Sequence, residues 1–263
     1  VLVNFMHRKI NCFLFALLIV GLIAPTAWCQ SVHSILSKLD QNYYYPQNQG
    51  LKSFSAQVQW ELLDAGSGSN KFLRQPDFIF TWNQNQDAGL GSFQLAMGQG
   101  VEHRFEELSQ QINPFRESII PITLAQKFSD FEGNVQEVRK NQLLLKLNPR
   151  NGGDLSFKLL VHSQDLVINK LRFHQTRSRH SPEKVEGEFR YIKLEGKRAL
   201  SESRSQFEIE GQEYTETTRY RYKKVEGIWW VHRIDQTIKR KENILQTLIL
   251  RLSNFSPTLS LKP

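Results

Sequence analysis

Residues 51–62, Leu-Lys-Ser-Phe-Ser-Ala-Gln-Val-Gln-Trp-Glu-Leu, alternate apolar and polar side chains over most of the stretch. Successive side chains of a strand point to opposite faces, so a period of two predicts a β-strand that is buried on one face. The apolar positions are Phe54, Ala56, Val58, Trp60 and Leu62. A strand of this kind belongs to an antiparallel sheet that is covered on one side.

Further strands are predicted after this stretch. A turn-forming loop at 64–70 and Pro76 precede the alternating residues Phe78, Phe80 and Trp82, and the next strand is expected at 92–97. From Lys184 onward almost every window reads as strand, with turns that contain Gly. We count about ten strands.

Helical spacing is confined to a few short segments. The first follows Ser31, where Val32, Ile35, Leu36 and Leu39 recur with a helical period. The second covers residues 102–131 and is broken by Pro114 and Pro121, which predicts short helices. The fold class is therefore mainly β (α+β), a single, strongly curved antiparallel sheet with short helices covering its concave face.

The start of the sequence has the pattern of an export signal. Basic residues at 7–9 run into the apolar stretch 10–23, and Ala27 and Cys29 stand at the −3 and −1 positions of a cut before Gln30. We assign residues 1–29 to upstream residues plus a cleaved signal peptide, 30–255 to one domain and 256–263 to a C-terminal tail. This predicts a periplasmic protein; an uncleaved N-terminal anchor is the alternative.

Composition excludes several kinds of chemistry. Both cysteines lie within residues 1–29, so the mature chain would have neither thiol catalysis nor cysteine metal ligands. Removing that segment, which holds Arg8 and Lys9 and no acidic residue, lowers the net charge from +8 to +6. The basic run 219–224 alternates with Tyr220 and Tyr222, as a solvated face over a core face does, and we expect no nucleic-acid partner.

We find no catalytic constellation, and we expect no enzyme activity, metal or cofactor. Nucleophile elbows, zinc-binding motifs and phosphate-binding loops are all missing from the sequence. The aromatic residues are more informative, because large rings share one face of the first three strands. They form either a filled core or the wall of a hydrophobic ligand pocket. The candidate pocket residues are Phe54, Val58, Trp60, Phe78, Phe80, Trp82 and Phe93.

Several segments resemble the periplasmic lipoprotein carriers of the LolA type. The resemblance rests on the helix at 34–39, the strand at 51–56, the segment 72–82 with its Pro, and the strands at 143–149, 157–161 and 171–173. Residues 224–234, which contain Gly, Trp and then Arg-Ile, resemble a strand of the broader relatives classed as outer-membrane lipoprotein-sorting proteins. It implies an eleven-stranded half-barrel whose concave apolar face shelters acyl chains. In the segment that corresponds to 72–82, the family keeps an Arg directly before the Pro as a lid-gating residue. Here Gln75 holds that position and Arg74 lies one residue earlier.

The sequence therefore predicts a monomeric, non-enzymatic carrier that binds the acyl chains of lipids or lipoproteins and sorts them towards the outer membrane. Its other partners would be transient inner- or outer-membrane proteins. The alternative is an envelope sensor or adaptor with the same fold, in which the concavity is filled and a convex basic face binds another protein. Arg74 and Gln75 are the candidate gating residues.

Overall fold

The computed structural model describes residues 31–64, 71–85, 89–96, 100, 102–175 and 183–260. The export signal predicted within residues 1–29 lies outside the described residues and stays a prediction. Within these described ranges, thirteen strands form one antiparallel sheet. The strands are β1 (Leu51–Asp64), β2 (Phe72–Arg74), β3 (Phe78–Asn83), β4 (Ser92–Leu95), β5 (Phe131–Arg139), β6 (Gln142–Pro149), β7 (Leu155–His162), β8 (Val167–Gln175), β9 (Lys184–Leu194), β10 (Lys197–Ile209), β11 (Gln212–Val225), β12 (Ile228–Arg240) and β13 (Asn243–Leu259).

The strands follow the order β4-β3-β1-β13-β12-β11-β10-β9-β8-β7-β6-β5, and β2 pairs with β1 beside β3. Among the described residues no pairing joins β4 to β5, so the sheet is open. The predicted fold class is confirmed, because the structure is mostly one antiparallel sheet with few, short helices. The prediction of about ten strands was too low; β2, which the sequence analysis did not separate, is cut off from β3 by residues 75–77.

The helices are short and contact one face of the sheet. They are α1 (Val32–Asn42), α2 (Phe105–Ile112), α3 (Arg116–Ile119) and α4 (Leu124–Lys127), with 3₁₀ turns at Pro46–Gln49, Glu102–Arg104 and Asn113–Phe115. We call the face that they contact the inner face and the opposite one the outer face. In the described part of the chain, no helix is long and apolar enough to cross a membrane.

Two apolar clusters fill most of the space between the helices and the inner face. One joins β1, β3, β4, β12 and β13 to α2 and α3, with Leu108 and Ile112 of α2 fully buried in it. The other joins β6, β7 and β8 to α1, which contributes Val32, Ile35 and Leu39 at helical spacing. The inner face is therefore covered from two separate sides.

The last strand extends into the residues that the sequence analysis assigned to the C-terminal tail. β13 continues to Leu259, which pairs with Leu51 of β1, and the amide of Ser260 donates to the carbonyl of Gly50 at 2.8 Å. Phe255 packs against Phe54 and Trp230, which holds this part of β13 on the sheet. A shift of register between Ser55 and Gln57 lets the pairing continue beyond Ser253.

Candidate functional site

The predicted pocket residues lie together, in the cluster that contains α2. Their exposed fractions run from 0 to 6%. The rings interlock edge to face: Phe80 and Phe93 lie 5.1 Å apart between ring centroids, and Phe78 and Phe93 lie 6.2 Å apart. Of these residues, Phe54 and Trp82 border an open groove of about 330 Å³ that is rich in hydroxyl groups. Lipid binding by these seven residues stays a prediction: Phe54, Val58, Trp60, Phe78, Phe80, Trp82 and Phe93.

The candidate gating residues lie at the junction of β2 and β3. The guanidinium of Arg74 is exposed and pairs with the carboxylate of Asp77 at 3.1 Å. The amide of Gln75 donates to the carbonyl of Trp60 at 3.0 Å, so this backbone is fixed to β1. Neither side chain lines the apolar cleft described next. A gating role for Arg74 and Gln75 stays a prediction.

An apolar cleft of about 320 Å³ opens on the inner face over β8 to β11. It lies where the two large clusters meet a third one around Tyr44, Leu194 and Ala199. Its roof is the segment 117–128, which holds α3 and α4. Six tyrosines line it, and we call it the tyrosine cleft: Tyr43, Tyr44, Tyr45, Tyr191, Tyr220 and Tyr222.

Two of these tyrosines hydrogen-bond to the backbone of one residue. The Tyr43 hydroxyl accepts from the amide of Ile168 at 2.8 Å, and the Tyr191 hydroxyl donates to the carbonyl of Ile168 at 2.8 Å. β8 pairs with β9 from Lys170 onward, so Ile168 lies before the paired stretch. At Ile168 the two hydroxyls take the place of β9 as hydrogen-bond partners. The rings of Tyr43 and Tyr191 stack with their centroids 5.5 Å apart.

The other hydroxyls are also held by polar partners. Tyr222 donates to the carbonyl of Leu200 at 2.9 Å, where the register of β10 shifts, and Tyr44 accepts from the amide of Trp229 at 2.8 Å. The Tyr220 hydroxyl hydrogen-bonds with serine side chains of α3 and β10. With their hydroxyls engaged, these rings offer mainly apolar surface to the cleft.

Burial keeps the tyrosine hydroxyls protonated. It raises the pKa of Tyr191, Tyr220 and Tyr222 above the usual range, since the phenolate would lose its hydration. Burial and the neighbouring carboxylate of Asp40 raise the pKa of Tyr45 as well. The tyrosines of the lining therefore stay uncharged at physiological pH.

Asp40, near the end of α1, fixes the roof of the cleft. Its carboxylate accepts from the amides of Leu124 and Ala125 at 2.7 and 2.9 Å, and it also accepts from the hydroxyl of Tyr45. Thr123 and Gln126 complete a capping box at the same end of α4. Because the first turn of α4 has its donors satisfied in this way, the roof is held to α1 by hydrogen bonds.

Few charges border the cleft. Lys127 and Glu117 form an ion pair on the roof, and the Arg198 guanidinium lies 3.6 Å from the carboxylate of Asp165. Among the described residues, no group of three His, Cys, Asp or Glu side chains is placed to hold a metal ion. The arrangement suits an apolar ligand with a small polar end.

Sequence reasoning missed the tyrosine cleft. It assigned Tyr220 and Tyr222 to a core face and saw the Tyr43–Pro46 region only as the end of a helix. One signal was available: tyrosines, and not phenylalanines, occupy the apolar positions of residues 219–223. Buried tyrosines need hydrogen-bond partners, which places them at the margins of a core.

No family model and no curated protein matches this chain. Among solved structures, the chain is similar to a LolA superfamily protein from Nitrosomonas europaea, with 12% identity, 89% of this chain and 95% of that chain covered, and a TM-score of 0.34. It is also similar to a putative outer membrane lipoprotein-sorting protein domain from Vibrio parahaemolyticus, with 12% identity, coverages of 88% and 93%, and a TM-score of 0.30.

A third similar structure is the MucA/MucB complex of Pseudomonas aeruginosa, with 8% identity, coverages of 86% and 99%, and a TM-score of 0.20. The first two structures represent the group that the sequence resembles.

Proposed function

We propose that this protein is a non-enzymatic periplasmic carrier that binds the acyl chain of a lipid or lipoprotein in the tyrosine cleft. The observation that carries the proposal is an apolar cleft of about 320 Å³ walled by ring faces. Small-molecule sites occupy roughly 300–1,000 Å³ and are mainly apolar. Each methylene group transferred from water into the cleft would contribute about 0.8 kcal/mol.

The roof supports a route of entry. Its residues 121–123 lie between the buried Ile120 and Leu124, whose amide is held by Asp40, and the carbonyl of Pro121 accepts from Gln47 at 2.6 Å. The half-buried side chains of Ile122 and Leu124 face the cleft. Displacing residues 121–123 would open the cleft while Ile120 stays in its cluster and Leu124 stays hydrogen-bonded to Asp40.

The test compares the binding of an acyl ligand by the wild type with its binding by a variant whose cleft is filled by a larger side chain. Leu200 lines the cleft and is half-buried, so Leu200→Trp should fill it. Leu160 is also half-buried but lines an outer-face groove, which makes Leu160→Trp the matched control. Binding would be followed with a dansyl-labelled undecanoic acid, and the lipids that co-purify from a Gram-negative periplasm would be identified by native mass spectrometry.

We expect acylated species on the wild type, and at least a roughly tenfold weaker affinity of Leu200→Trp with no change in Leu160→Trp. The proposal would be overturned if the protein carried no co-purified lipid and also did not bind the dansyl-labelled probe. Equal binding by the wild type and Leu200→Trp would overturn the cleft as the site. In that case a folded Phe80→Leu variant with weakened binding would locate the ligand among the predicted aromatic residues.

A further inference from the structure

The outer face of the sheet carries a groove of about 510 Å³ that crosses β6 to β10. It lies opposite the inner-face cluster: Leu145 and Leu147 of β6 are fully buried under the helices, while Leu144 and Lys146 alternate with them and point outward. The groove is thus separated from the tyrosine cleft by the thickness of the sheet.

Three cations stand side by side across neighbouring strands of this groove. Lys146 is directly opposite Lys158, and Lys158 is directly opposite Arg172. Neighbouring strands lie about 4.8 Å apart, so the row places three positive charges within about 10 Å. Like charges directly opposite each other destabilise a sheet. The row therefore acts against the stability of the free protein.

The neighbouring carboxylates do not neutralise the row. Glu186 pairs with Arg172 at 2.8 Å but also with Lys184 at 2.9 Å, so its charge is shared. The next carboxylate, Glu188, is paired with Lys170. No ion pair with Lys146 or Lys158 is found in the part of the chain that the structure describes. The end of the row formed by β6 and β7 has an excess of positive charge.

An apolar row runs beside the cations. Leu144 and Leu160 are directly opposite each other on the outer face, and both are half-buried. They form the floor of the groove next to Lys146 and Lys158. An occupant that covers both rows must carry acidic and apolar groups close together, as a polypeptide segment does.

We propose that this groove binds an extended acidic peptide segment of a partner protein. Its carboxylates would lie on Lys146, Lys158 and Arg172, and an apolar side chain would cover Leu144 and Leu160. Charge complementarity selects an anionic partner, and the apolar floor favours a peptide over a simple anion. The proposal goes beyond the carrier function and does not depend on it, because the two sites lie on opposite faces.

The experiment measures the fluorescence anisotropy of a labelled peptide with the sequence Glu-Leu-Glu-Ser repeated twice. A peptide with Gln in place of Glu is the ligand control. The double variant Lys146→Gln/Lys158→Gln is compared with Lys223→Gln/Lys241→Gln, which removes the same charge from exposed lysines elsewhere. Vesicles of phosphatidylglycerol and phosphatidylcholine test the bilayer as an alternative partner.

We expect binding of the acidic peptide that weakens with salt, and a loss of roughly tenfold or more in Lys146→Gln/Lys158→Gln only. The free double variant should melt about 1–2 °C higher than the wild type, because a repulsion has been removed. Equal binding by both double variants would overturn the proposal, and so would vesicle binding that depends on Lys146 and Lys158 without peptide binding. Failure of the acyl-chain test would leave these results unaffected.

Discussion

The two aromatic regions of the inner face differ in whether their rings carry hydroxyl groups. Around Trp60 and Phe80 the rings are indoles and phenyls, which interlock edge to face and are sealed by α2. In the tyrosine cleft the hydroxyls of Tyr43, Tyr191 and Tyr222 are held at backbone groups. The indoles of Trp60 and Trp82 are tethered too, since each donates to a backbone carbonyl at 2.9 Å. The difference is that phenyl rings pack against one another beside these indoles, whereas a space remains beside the tethered tyrosines.

The largest difference between the two regions is expected when one side chain in each is truncated to alanine. Trp60→Ala removes a fully buried ring from the sealed region and should lower the free energy of unfolding by about 3–5 kcal/mol. Leu200→Ala removes a half-buried side chain beside an existing space and should cost less than about 1.5 kcal/mol. Urea unfolding of both variants measures the difference. Similar losses would show that the cleft is packed as tightly as the sealed region.

The roof of the cleft should depend on one carboxylate. Asp40→Ala leaves the amides of Leu124 and Ala125 without their acceptor and should lower stability by about 1–3 kcal/mol. Hydrogen exchange should accelerate at these two amides and stay unchanged in β3, within the sealed region. Asp130→Ala, at an exposed aspartate, is the control. Uniformly faster exchange in both regions would contradict a local roof.

A smaller effect is expected at Glu216, on β11. Burial raises the pKa of this carboxyl above its usual range, with Thr218 and Gln236 as hydrogen-bond partners. A raised pKa means that the folded state favours the protonated form, so stability is lost as the pH rises through that pKa.

Glu216→Gln removes this loss. Its melting temperature should match the wild type near pH 4 and exceed it by about 2 °C at neutral pH. Thermal melts across this range, with the exposed Glu213→Gln as control, measure the difference. A constant offset at every pH would show that the charge of Glu216 is not the cause.

The fold was more predictable than the candidate site. The alternation in 51–62 gave the buried face of β1, because a strand repeats every two residues, but it did not give its partners, β3 and β13. The cleft depends on segments far apart in sequence, such as Tyr43 with Ile168 or Asp40 with Leu124. The pattern of Phe78 and Phe80 is the same whether a helix covers them or not, so only the position of α2 shows that they are packed.

The position of β13 bears on how the chain is assembled. β13 follows all other strands in the sequence, yet it lies between β1 and β12 and pairs Leu51 with Leu259. Until it has been synthesised, β1, β3 and β4 have no link through the sheet to β5–β12. Contacts over such sequence separations form slowly. Until β13 is in place, the two pieces would expose unpaired strand edges, and a chaperone that binds such edges would find its site on the incomplete chain.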